Sequence, residues 1–187
     1  MSGFLAEGVP VTIDESTLRE VVEDPATLAA WCDAHPEDPR TVAYLRMLGR
    51  LDEAAAAGRR GLEDPALPPL VRAVRRARYA QVLQWQGAFL PADEQFDLAA
   101  EETGLEDPTT PSSLSVLAAV FHQRALSRFE HARAELGRER PRAAERLRTS
   151  ALEDARRALM MREHLAADDE DLVGANRRAV RRLERGL

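Results

Sequence analysis

Four histidines, one cysteine and a run of acids are the residues of this chain whose types could do chemistry, and their spacing decides whether they do. His122 and His131 are nine residues apart in one helical stretch. That is about 13 Å along a helix axis at 1.5 Å per residue, too far to share a metal ion. His131 and Glu135 share a helix face, but a di-iron centre in a helical bundle also needs further carboxylates and paired Glu-x-x-His sets, which the chain lacks. His35 and His164 stand far from either. Cys32 is single, so it can close no intramolecular disulfide and build no thiolate cluster. In "LAAWCDAH" it reads as a packed core thiol rather than a nucleophile, because no base sits at a useful spacing. The acids of Asp168–Asp171 point around a helix start rather than into one cage. With no Gly-rich phosphate loop, no GxSxG elbow and no Cys–His pair, the expected protein is not an enzyme and carries no metal and no cofactor.

What would position any site is helical. The triplet EDP occurs four times, at Glu23–Pro25, Glu37–Pro39, Glu63–Pro65 and Glu106–Pro108. Asp before Pro starts helices and Pro stops them, so the triplet reads as the joint between helices. The composition agrees: 44% hydrophobic and 31% charged, rich in Ala, with 5% aromatic residues and few β-branched runs. Almost no sheet is expected. All 26 basic residues are Arg, which GC-rich coding explains better than function does. A formal charge of −6 argues against a nucleic-acid coat protein. The N-terminus lacks a basic leader and no 18-residue apolar run exists, so no membrane segment and a cytoplasmic location are expected.

Beneath the punctuation lies a period. Aligning Gly49 with Gly87 superposes Val42 on Ala80, Leu45 on Leu83, Leu51 on Phe89, Ala54 on Ala92 and Gly61 on Ala99, all 38 apart. Ala118 lies another 38 beyond Ala80. A period of this length marks stacked helical units. Here the chain resembles the tetratricopeptide repeat family: Ala80, Gly87, Phe89, Ala92, Phe96 and Ala99 follow its pattern. Gly58 stands where that pattern has a large residue, and the family's usual period is shorter. The resemblance implies an all-α fold, a right-handed α-solenoid of antiparallel helix pairs. Its units fall at about 38–65, 69–104 and 111–165, preceded by an N-terminal segment, 1–37, with one or two short helices. The third unit is longer by 25 residues, shared between both helices as an extended hairpin. A capping helix, 168–185, starts acidic and ends basic, as the helix dipole favours.

The resemblance further implies that the first helices line a concave groove binding a peptide or protein partner. Its positions fall on Arg46 and Met47 in the first unit, Arg78, Gln81, Gln84 and Trp85 in the second, and Ser115, His122 and Gln123 in the third. Arg and Gln would pair with main chain or carboxylate. Trp85 would be an anchor, or alternatively core. The family's clamp for C-terminal carboxylates is absent, since Pro39, Ala43, Ser112 and Val116 stand where its Lys, Asn and Arg belong. The extended hairpin, about Arg124–Arg148, holds eight arginines against four glutamates and presents Arg128, Arg133, Arg142 and Arg146 as a basic surface. Two alternatives follow: a structural subunit that self-associates as a homodimer through this hairpin, or a helical protein that binds nucleic acid through Val71–Tyr79 and the hairpin arginines.

Overall fold

The computed structural model describes residues 3–105, 107, 109–165 and 170–186, without the side chains of 170–172. It is mostly helical with one small sheet. Strands β1 (Gly3–Ala6), β2 (Val9–Ile13) and β3 (Glu20–Val22) pair antiparallel in the order β1-β2-β3. Almost no sheet was expected, and this one lies in the N-terminal segment, for which only one or two short helices were expected. The cause is local. Glu7 and Gly8 both take positive φ, 52° and 85°, as a type I′ hairpin requires. Val9, Val11 and Ile13 then alternate with polar or exposed positions. Ala6, Val9 and Val11 bury against Leu28 of helix α1 (Pro25–Ala34), with Tyr44 and Leu48 completing the cluster.

Three helix pairs follow: α2 (Thr41–Met47) with α3 (Leu51–Arg60), α4 (Pro69–Trp85) with α5 (Phe89–Thr103), and α6 (Pro111–Gly137) with α7 (Pro141–Leu165). A last helix, α8 (Glu170–Glu184), packs on α7 and touches α6. Helix α4 lies between α2 and α6 and packs on both, while α3 packs on α4 and α5 on α6. The buried stripes are built from alanine so that helices approach closely: Ala54, Ala80, Ala92, Ala99, Ala118 and Ala155 are all fully buried. At Gly58 an added Cβ would lie 2.8 Å from the Tyr79 ring, so Tyr79 supplies the bulk this position lacks.

The pairs turn alike. Gly49 and Gly87 take φ of 74° and 76°, and the next residues, Arg50 and Ala88, donate to Leu45 and Leu83 carbonyls at 2.9 Å. In the third pair Arg140 donates to the Glu135 carbonyl at 2.9 Å, and Glu139, at φ 60°, occupies the glycine's place. Helix α6 ends at Gly137, two residues before this left-handed position. The EDP joints behave as turns. Asp24 caps α1 by accepting from Thr27 N–H, while Asp38, Asp64 and Asp107 accept from the N–H two residues on. Glu106 and Pro108 of the last triplet lie outside the described residues.

Among the described residues no helix is long and apolar enough to cross a membrane. Cys32 is buried, and burial pushes its thiol up.

Candidate functional site

Because α2, α4 and α6 stand side by side, side chains three and four residues apart on each fall along one shared face. On α4 these are Gln81, Gln84 and Trp85; on α6 they are Ala119, His122, Gln123, Leu126 and Glu130; α2 gives Arg46. They wall a cavity of about 390 Å³. Arg162 of α7 and Asn176 and Arg178 of α8 close one side, and Ile13 and Glu20 of the sheet with Leu18 and Arg19 of the β2–β3 loop close another. A shallower depression of about 300 Å³ continues from it, sharing Gln81, Ala119, Gln123 and Arg162 and adding Arg78 and Ser115. Of the nine residues expected in a groove, eight thus lie along one continuous surface. Met47 is half-buried and lines neither part.

The polar groups are tightly arranged. Arg46 is 2% exposed, and its two terminal nitrogens donate to the Glu20 carboxylate at 2.9 and 2.8 Å. Its Nε is buried with no partner. Arg19 makes the matching bidentate contact with Glu130, at 2.8 and 2.7 Å, which raises its pKa. Trp85 carries both guanidinium groups, Arg19 at 4.6 Å and Arg46 at 4.7 Å from the ring centre. It is half-buried and belongs to the cavity wall rather than to an apolar cluster. Burial works to raise the Glu20 carboxyl, but hydrogen bonds and charge from Arg46 prevail and hold it below its ordinary value. Gln81 and Gln84 are buried, and neither they nor Gln123 hydrogen-bond through their amides to another described residue.

His122 is half-buried on the cavity wall. Burial, then the charges of Arg162 and Arg178, push its imidazole down to about 4 against the opposing pull of Glu20 and Asn176. It is neutral at pH 7, with its Nδ1 buried and unpartnered. The cavity therefore offers guanidinium, amide and imidazole groups around an indole, a set suited to holding a polar extended ligand.

Several contributors had no local signal. Arg19 arrives from the β2–β3 loop and Glu20 from the sheet, and Arg162, Asn176 and Arg178 from helices beyond the first three pairs' inner faces. Glu130 could have been found by following the stripe of His122 and Leu126 one turn further. The basic hairpin needs a correction at Arg128. It does not face outward: its guanidinium donates to Asp93 at 2.9 Å and to Asp154 at 2.8 Å, between α5, α6 and α7. Arg124 joins the same network, bidentate to Asp154 and bonded to Asp97. Arg133, Arg142 and Arg146 are exposed near the tip. The hairpin is also less isolated than its length suggested, since Phe89 stacks on His131 at 4.8 Å and Leu183 packs with Phe129. Asp168 and Asp169 lie outside the described residues, and no side chain of the run Asp168–Asp171 is described. Comparison of the chain with protein-family models, with curated proteins and with solved structures found no match in any of the three.

Proposed function

We propose that the chain is a non-catalytic protein-interaction module, a right-handed α-solenoid of tetratricopeptide type whose inner face binds a peptide segment of a partner. One observation carries the reading. Three glutamine amides, Gln81, Gln84 and Gln123, face the groove from two adjacent helices without hydrogen bonds to the described protein. An amide side chain presents one acceptor and two donors, which is the complement of a peptide group. Buried polar groups are otherwise nearly always paired, so groups left open toward a cavity are groups available to a ligand. The equivalent turns at Gly49 and Gly87 and the matching buried alanines support the repeat reading.

The test is the double variant Gln81→Ala/Gln123→Ala. Because these amides bond to no other described residue, its melting temperature should stay within about 2 °C of wild type. Recovery of the partner from native lysate, read by mass spectrometry, should fall at least about tenfold, the loss of roughly 1.4 kcal/mol that one or two hydrogen bonds contribute. Unchanged recovery with unchanged stability would remove the groove from the function.

A further inference from the structure

The helices do not keep this groove to themselves. Arg46 is buried in α2, yet its carboxylate partner, Glu20, comes from the sheet. Next to it Arg19 lies over Trp85 and pairs with Glu130 of α6. A two-residue stretch, cation then anion, thus occupies complementary charges on two of the groove's helices. We infer that residues 14–20 are a built-in competitor for the groove, and that the partner is an extended segment carrying adjacent cationic and anionic side chains, which take Glu130 and Arg46 in their place. The inference rests on the groove being the binding surface.

The local construction supports a competitor that can lift. Glu20 is the first residue of β3, paired with Ile13, and the loop that leads into it is closed by Asp14 N–H donating to the Arg19 carbonyl at 2.9 Å. The Asp14 carboxylate accepts from the backbone and hydroxyls of Ser16 and Thr17, so the loop keeps its shape as a unit. Asp14 to Thr17 are exposed, and among the described residues the ion pairs that tie this loop to the helices are the two just described. The rest of the sheet is anchored separately, through Ala6, Val9 and Val11 on Leu28. Leu18 takes φ 59°, a left-handed conformation that a non-glycine residue holds only under constraint. Leaving the groove would release it. A partner pairing the same two charges repays the loss of the internal pairs, which gives selectivity: a segment lacking either charge would strand Arg46 or Glu130.

A fluorescein-labelled peptide copying Ile13–Glu23 serves as the probe, titrated into the full chain and read by anisotropy. The Arg19→Ser/Glu20→Ser variant should bind it at least tenfold more tightly than wild type, and the same peptide with Gln in place of its Glu20 should lose most of that gain. The single Glu20→Gln variant, which keeps the shape of the side chain, should show an intermediate gain, and circular dichroism checks that both variants are folded. Equal binding to wild type and variants would overturn the competitor while leaving the groove as a peptide site. Failure to bind any form would overturn the assigned partner class. In that case partner recovery with Gln81→Ala/Gln123→Ala shows separately whether the groove reading stands.

Discussion

At pH 7 His122 is neutral, held so by burial and by the guanidinium groups of Arg162 and Arg178. Its folded value of about 4 lies below the ordinary 6.5, so the unfolded chain takes up a proton first as pH falls. Stability attributable to this group is complete above about 6.5 and declines toward pH 4, by on the order of 2–3 kcal/mol. Urea denaturation at pH 7.5 and 4.5 should show that decline, and His122→Gln should remove most of the difference. Asp14 and Asp38, held at about 2 by hydrogen bonds, titrate below this window. A second residue-scale prediction concerns Glu139. It sits at φ 60° in a turn where Gly49 and Gly87 occupy the equivalent place. Glu139→Gly should therefore stabilise the chain, by about 0.5–1 kcal/mol in equilibrium denaturation, although glycine weakens most other positions.

At the scale of the element, contacts between helices are set by how little side chain stands between them. Gly58 has Tyr79 against it, and Ala92 and Ala99 are fully buried. Gly58→Leu, Ala92→Leu and Ala99→Leu should each cost about 1–3 kcal/mol by overpacking, read as a lower urea midpoint with an unchanged slope. The helices and their small contact residues were legible because both repeat along the chain: 38 residues separate the glycine turns and the buried alanines. The groove positions came instead from the tetratricopeptide resemblance, and eight of the nine line the cavity or the depression beside it. The sheet was not legible. Its strands are three to five residues long, and its burial comes from Leu28 and Tyr44, contacts that no local pattern announces. Charge failed in a related way. Arg128 and Arg142 look alike in sequence, but one meets two carboxylates from neighbouring helices and the other meets solvent.

For the molecule as a whole, that difference separates arginines that hold α5, α6 and α7 together from those that only coat the tip. Asp154 is 2% exposed and accepts from both Arg124 and Arg128. Asp154→Ala should destabilise by about 3–5 kcal/mol, since it strands buried cations, whereas Arg142→Ala should stay within about 0.5 kcal/mol. Thermal unfolding of the two variants compares them directly. The groove has a consequence of another kind. The chain has two tryptophans, and Trp31 stacks on His35 and does not line the cavity, while Trp85 carries the two guanidinium groups that the β2–β3 loop and α2 bring to it. Any ligand that draws Arg19 or Arg46 aside changes the charge against that indole. In a Trp31→Phe background the protein would then signal its own occupancy by the colour and intensity of one emitter, with no label attached.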